Sequence, residues 1–279
     1  CFGHATDPSL ARVGRMSRTV AARADDLFQI IGPYFLIGLL LITWEMTARA
    51  KLIDPFLLPV FTDVLWRIIT DLISGELARG IFFTMARTVI SFAIASVVGI
   101  AIGISISRIR FLKWFMDPIV FIGLPMPKIA LLPVFMIWFG LFDSSKIAMT
   151  AFSASFQIIV TVWMGADSVQ KELIWSARSL GAKPHLIPLE IIIPATLPRI
   201  LTALQIALPI CLIVELVTEF VMGGTGLGAI MLQASRNADS LGVFAGIFEI
   251  GLLGILLIRT LEIVRRRLLV WHQEESKPE

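Results

Sequence analysis

Six stretches of this chain are long and apolar enough to cross a bilayer, and that pattern limits its fold more than any other feature. A hydrocarbon core of roughly 30 Å takes about 20 predominantly apolar residues in helical form. The six run approximately Phe28–Ala48, Gly80–Ser107, Phe115–Phe139, Ile147–Ala166, Ile191–Leu216 and Leu241–Val264. Composition agrees, with 57% of residues hydrophobic and 16% charged, where soluble domains hold about 45–50% and about 25%. Lipid offers no partners to backbone N–H and C=O groups, so such spans are expected to be helices. The expected fold is an all-α polytopic membrane protein with six transmembrane helices, whose short loops leave no room for a soluble catalytic domain.

Positively charged loops are retained in the cytoplasm. With the amino terminus inside, the inner segments hold fifteen Lys and Arg residues, among them Arg108, Arg110, Lys113, Lys171, Arg178 and Lys183, against six in the outer segments, Arg49, Lys51, Arg67, Arg79, Lys146 and Arg236. Both termini are therefore expected in the cytoplasm. Residues 1–27 read as a basic tail rather than a signal peptide, since no apolar region with a small-residue cleavage site follows Arg12, Arg15, Arg18 and Arg23. Residues 28–268 form the transmembrane domain and 269–279 a second tail. The net charge of +3 records this topology and an affinity for anionic membrane lipid, not nucleic-acid binding.

Between the fourth and fifth spans, at about 168–190, lies a polar interruption, DSVQKELIWSARSLGAKPHLIPLE. Leu173, Ala177 and Leu180 recur at helical spacing and make one apolar stripe on a short amphipathic helix. Gly181 is a helix stop, and Pro184 suits the first turn of the next helix. Such a stripe either docks a partner protein or lies on the membrane surface.

ARSLGA followed by IIIPATLPRILTAL resembles the cytoplasmic EAA loop of ATP-binding-cassette importer permeases, whose pattern is E-A-A, three residues, Gly and, about nine residues later, I-x-L-P. Trp175 and Ser176 depart from the first two letters, while Ala177, Gly181, Ile192 and Pro194 fit. FLLPVFTDVLWRI, TMARTVISFAIASVVGIAIGISIS, DPIVFIGLPMPKIALLPVFMIWFG and GGTGLGAIM extend the likeness to the nitrate, sulfonate, taurine and bicarbonate type of permease. The resemblance implies a type I importer fold of the MetI-like kind in a bacterial cytoplasmic (inner) membrane. It also implies a second permease subunit, expected to be an identical copy, two cytoplasmic ATPase subunits and an external substrate-binding protein. ATP and Mg would be bound by the partner subunits, and no cofactor is expected in this chain. Leu173, Trp175, Ser176, Ala177, Arg178, Leu180, Gly181 and Ala182 would form the ATPase-coupling loop.

A charge at mid-bilayer is costly, so Arg87, Lys128, Glu215 and Glu219 should be paired or face water. Arg87 lies about two turns below the start of the second span, and Glu215 and Glu219 lie near the end of the fifth; they are expected to form an intramembrane ion pair, with substrate contact as the alternative. Lys128 has no carboxylate at matching depth and follows Pro125 and Pro127, with Pro133 close behind. Interior prolines break helices, and irregular backbone is tolerated where it lines a cavity. Pro125, Pro127, Lys128 and Pro133 are thus expected to line a translocation pathway for a small anion, unless Lys128 snorkels to a freed carbonyl and acts only in folding.

Enzymatic readings find little support. No G-x-x-x-x-G-K-[ST] occurs, so the chain has no P-loop. GTGLGA at 224–229 matches a dinucleotide fingerprint only outside its strand context and reads better as a turn between helices. His4, His185 and His272, like Cys1 and Cys211, have no spacing partner for a metal site. Two further readings stay open: the same role for an uncharged or cationic substrate such as a pyrimidine vitamin precursor, and a non-transporting membrane scaffold.

Overall fold

The computed structural model describes residues 35–183 and 186–268. The tails, residues 28–34 of the first expected span, Pro184, His4, His185, His272 and Cys1 lie outside that range. Every regular element among the described residues is helical. In chain order these are α1 (35–49), α2 (Phe61–Ser74), α3 (Glu76–Arg108), α4 (Arg110–Gly123), a 3₁₀ turn (Lys128–Leu131), α5 (Leu132–Phe139), α6 (Asp143–Asp167), α7 (Lys171–Ser179), a π turn (Pro188–Ile192), α8 (Ile193–Met222), α9 (Leu227–Arg236) and α10 (Ser240–Leu268).

Two units are distinguished, Cys1–Trp66 and Arg67–Glu279. In the first, α1 is tied to the chain that follows it. The Trp44 indole donates to the Pro59 carbonyl at 2.9 Å, and its ring lies 5.3 Å from that of Phe61. The Glu45 carboxylate accepts from Arg49 at 2.6 Å and from the hydroxyl and backbone N–H of Thr62.

In the second unit, α3, α6 and α8 form the core. α3 and α6 run parallel: Ser91, midway along α3, donates to Ile147 O near the start of α6, and Arg108 donates to Ala166 O where both helices end. Small residues allow this approach. A Cβ on Gly99 would lie 2.7 Å from Ile158, and one on Gly103 would lie 2.9 Å from the Ile159 carbonyl. α8 returns antiparallel across α6, burying Ala154, Ile158 and Val162 against Ile200, Ala203 and Ala207. α10 closes a second cluster, Leu208, Leu212 and Leu216 against Leu253 and Leu257.

Among the described residues, four helices are long and apolar enough to cross a membrane: Glu76–Arg108, Asp143–Asp167, Pro188–Met222 and Ser240–Arg267. A fifth crossing exists if a bent pair counts as one span. The stretch expected as the third span, 115–139, falls in that pair, and its helix is broken sharply. Arg110–Gly123 and Lys128–Phe139 meet at 99°. Pro118, Pro198 and Pro209 sit inside continuous helices, so a single proline does not break this backbone. Pro125 and Pro127, one residue apart, remove two nearby donors and add two ring clashes, and the helix stops.

Candidate functional site

At the end of the bundle where α3 and α6 begin and α8 finishes, Arg87 gathers four elements. Its Nη1 donates to Glu219 Oε1 at 2.7 Å and to Thr225 O at 2.8 Å; its Nη2 donates to Thr225 Oγ1 at 2.6 Å and lies 2.9 Å from Asp143 Oδ1. Glu219 also accepts from the Thr84 hydroxyl and, at 3.0 Å, from the N–H of Gly228 in the first turn of α9. Thr84 Oγ1 in turn accepts from Leu227 N at 2.9 Å. The anion held at the start of α9 is thus the chain's own carboxylate, as the partial positive charge of a helix N-terminus favours. This fills the space beside GTGLGA.

Glu215 stands apart from Arg87, a correction to the expected three-residue cluster. It lies one helical turn closer to the middle of α8 and accepts from Thr150 Oγ1 at 3.1 Å, leaving its Oε1 without a partner among the described residues. Asp143 and Lys146 are members of the cluster that the sequence reading missed. α6 begins at Asp143 rather than Ile147, so Lys146 is not a loop charge: it is 3% exposed and donates to Gly223 O at 2.7 Å.

The break after α4 opens a different environment. Lys128 Nζ donates to Leu124 O at 3.1 Å, a carbonyl that the interrupted helix leaves free, and sits 5.1 Å from the centre of the Phe156 ring. Phe156 reaches this place because Gly123 has no side chain; a Cβ there would lie 2.2 Å from the ring. Lys128 borders a cavity of about 360 Å³, together with Ser153 and Gln157 of α6, Leu124 and Ile129 beside the break, and Ile210 and Val214 of α8. No carboxylate pairs with Lys128 among the described residues. Pro125, Pro127 and Pro133 are exposed on the single chain. They shape the break, and of the four pathway residues only Lys128 lines this cavity.

At the opposite end, α7 follows α6. It closes with paired C-terminal bonds, Gly181 N to Arg178 O at 3.0 Å and Ala182 N to Ala177 O at 3.0 Å, with Gly181 at φ 87°. This is the Schellman arrangement, which needs a left-handed residue after the cap. The expected stripe is divided: Ile174 and Ala182 pack on the core, Ala177 is half-buried, and Leu173, Trp175 and Leu180 are exposed, Leu180 at 89%. Ser176 and Arg178 are exposed as well. Ile174, missed in the sequence, anchors the helix, and its neighbours are left to face outward.

Among the described residues, no group of three His, Cys, Asp or Glu side chains is placed to hold a metal ion. Long apolar helices with exposed apolar flanks define a multi-pass membrane protein. The profile of the family described as "Binding-protein-dependent transport system inner membrane component" matches residues 95–270, and the chain belongs to that family. It is similar to the taurine transport system permease protein TauC of Escherichia coli, 30% identical over 85% of this chain and 88% of the relative. It also resembles the formylaminopyrimidine transport permease protein ThiX of Halalkalibacterium halodurans, 30% identical over 89% of this chain and 98% of the relative. A third relative is the putative aliphatic sulfonates transport permease protein SsuC of Bacillus subtilis, 26% identical over 82% and 83%. In fold it matches a chain of the inward-facing MetNI methionine transporter, with a TM-score of 0.53 and 24% identity over 67% of this chain and 96% of that one. The chain is accordingly the membrane permease subunit of an ATP-binding-cassette importer and not itself an enzyme; ATP is hydrolysed by partner subunits.

Proposed function

We propose that this permease carries a small anion of the sulfonate, taurine, nitrate and bicarbonate class across a bacterial cytoplasmic membrane. One observation carries the reading: the Lys128 ammonium stands at a helix break on the wall of a cavity of about 360 Å³, with no carboxylate beside it among the described residues. An ammonium so placed needs a counter-ion or water, and an anionic substrate is a transient counter-ion. The relatives named for taurine and for aliphatic sulfonates support it, since both names denote sulfonates. In this reading six spans place both termini in the cytoplasm, and two copies of the chain form the pathway within membrane lipid. Two ATPase subunits engage α7, and an external binding protein delivers the solute.

A second reading, an uncharged pyrimidine substrate, is supported by the relative named for formylaminopyrimidine, which this chain covers over 98% of its length. The two separate in one experiment. The complete transporter, with its co-encoded ATPase and binding protein, is reconstituted in proteoliposomes, and ATP-driven uptake of radiolabelled taurine, ethanesulfonate and formylaminopyrimidine is compared. The anion reading expects sulfonate uptake that falls at least tenfold in Lys128→Met and is partly kept in Lys128→Arg. Pyrimidine uptake alone, or sulfonate uptake at the parental rate in an assembled Lys128→Met complex, rejects it.

A further inference from the structure

The cavity beside Lys128 is bordered by a serine whose hydroxyl is unbonded among the described residues. Ser153 of α6 is 5% exposed, and its Oγ has no hydrogen-bond partner among the described residues. A helical serine can donate to a carbonyl three or four residues back, though Thr88, Ser145 and Thr196, like Ser153, are buried without doing so. Two hydroxyls further along α6 do so: Ser155 donates to Phe152 O at 2.8 Å and Thr161 to Gln157 O at 2.9 Å. Ser153 instead borders the cavity with its hydroxyl unbonded. A buried hydroxyl left unbonded is costly; the Ser153 Oγ is covered as it stands, and a turn about χ1 is what would bring it to a partner in the cavity that its residue borders.

Gln157 lies one turn further along α6, on the same helix face, and borders the same cavity. Its amide nitrogen makes only a long 3.4 Å contact to Thr161, beyond the usual range for such a bond. Lys128 commits one N–H to Leu124 O and carries three. Three donor groups from two elements therefore border one space. Facing them are Ile210 and Val214 of α8, again a turn apart and wholly apolar. Ligand sites commonly occupy about 300–1,000 Å³ and combine a few polar groups with an apolar wall, and this cavity fits that description.

We propose that Ser153 and Gln157 complete, with Lys128, a subsite for a short alkyl oxyanion, the oxygens on the three donors and the carbon stem on Ile210 and Val214. The proposal rests on the anion-importer reading and narrows it. Nitrate and bicarbonate leave the apolar wall unused. Among the described residues no carboxylate borders the cavity, so a ligand with an ammonium at its far end finds no counter-charge there, and a plain alkanesulfonate is preferred to taurine.

The test is ligand-observed NMR titration of the assembled transporter in nanodiscs with ethanesulfonate, taurine, nitrate and ethylammonium as probes, using only complex recovered intact by size exclusion. Ethanesulfonate is expected to bind most tightly. Ser153→Ala and Gln157→Leu should each weaken it roughly tenfold, the scale of one hydrogen bond to a charged group, and Ser153→Thr, which keeps the hydroxyl, should restore most of the loss. The Lys128→Met/Ser153→Ala pair should lose less than the two single changes combined, as groups holding one ligand do. If Gln157→Leu does not assemble, Gln157→Glu sets a like charge against the ligand and should abolish binding. Parental binding in Ser153→Ala and in the Gln157 variant, with Lys128→Met still weakened, overturns the subsite and leaves the anion reading standing. Ethylammonium binding in place of ethanesulfonate, or indifference to Lys128→Met, overturns both.

Discussion

Arg87 and Glu219, 132 residues apart in the chain, meet at 2.7 Å with their side chains 3% and 0% exposed. The pair links the start of α3 to the end of α8. Thr84 and the N–H of Gly228 supply further donors to the same carboxylate, so its charge is compensated from three sides. By contrast, Asp143, the second carboxylate on Arg87, is 56% exposed, and solvent screens its share.

Removing one partner of a buried pair leaves an uncompensated charge, typically at a cost of about 3–5 kcal/mol, whereas replacing both by apolar groups is often nearly neutral. Arg87→Met is therefore expected to lower the thermal midpoint of the detergent-solubilised protein sharply, and Arg87→Met/Glu219→Leu to recover most of the loss. Losses that simply add in the double variant would show that the two side chains are not energetically coupled.

The glycines around Glu219 should be intolerant for a steric reason. A Cβ on Gly228 would lie 2.4 Å from the Leu216 carbonyl, which is backbone and cannot swing aside, and one on Gly226 would lie 2.1 Å from Glu219 Oε1. Gly228→Ala is expected to destabilise by about 1–3 kcal/mol, the usual cost of overpacking. Gly251, helical in α10 with nothing near its Cβ position, supplies the control: Gly251→Ala should stabilise by about 0.5–1 kcal/mol. Equal midpoints for the two alanine variants would contradict this account.

Much of this arrangement is legible in the sequence, and the gaps have identifiable causes. Around 20 consecutive apolar residues mark a span whatever surrounds them, so α3, α6, α8 and α10 fall where they are expected. The Gly181 stop is legible too, because a left-handed cap needs a residue without a Cβ. A break near Pro125 and Pro127 is legible as well, but its 99° angle is not. Single prolines at 118, 198 and 209 are absorbed by their helices, and what distinguishes the 125–127 pair includes Phe156 packed on Gly123, a contact set by tertiary structure. Lys146 was lost to the loop because an apolar window ends at a charge, whereas a helix can begin earlier if the charge finds a carbonyl, here that of Gly223. Ser153 in an apolar span reads as a packing residue until the residue is seen to border the cavity with its hydroxyl unbonded among the described residues.

Orientation can be checked with two cysteines in a background lacking Cys1 and Cys211. Ser179 and Asn237 are both exposed, at the end of α7 and just after α9; Ser240 is a poorer choice because its Oγ is buried. With Lys- and Arg-rich loops inside, Asn237→Cys should react with an impermeant thiol reagent in intact cells, and Ser179→Cys only in inverted vesicles. Labelling of Ser179→Cys in intact cells would invert the topology and remove the ATPase-docking role of α7 with it.

The turn after α7 gives a graded prediction. Gly181 adopts φ 87°, yet nothing lies within 4 Å of the position a Cβ would take, so a substitution there meets backbone strain and no clash. That strain is about 1–2 kcal/mol for an ordinary residue, while asparagine visits the left-handed region readily. A β-branched side chain is the worst fit. The turn is exposed and follows the last turn of α7, so the bundle's own stability should change little across the series. What should change is the direction in which Leu180 and its neighbours leave the helix, and with it the fit to the ATPase. Gly181→Asn is expected to transport nearly as the parent, Gly181→Ala less well, and Gly181→Val to hydrolyse ATP in the assembled complex with little uptake, alongside weaker retention of the ATPase on purification. Uptake per ATP hydrolysed, measured in proteoliposomes, ranks the three. A Gly181→Val complex that binds its ATPase and transports like the parent would mean that this turn has no part in coupling.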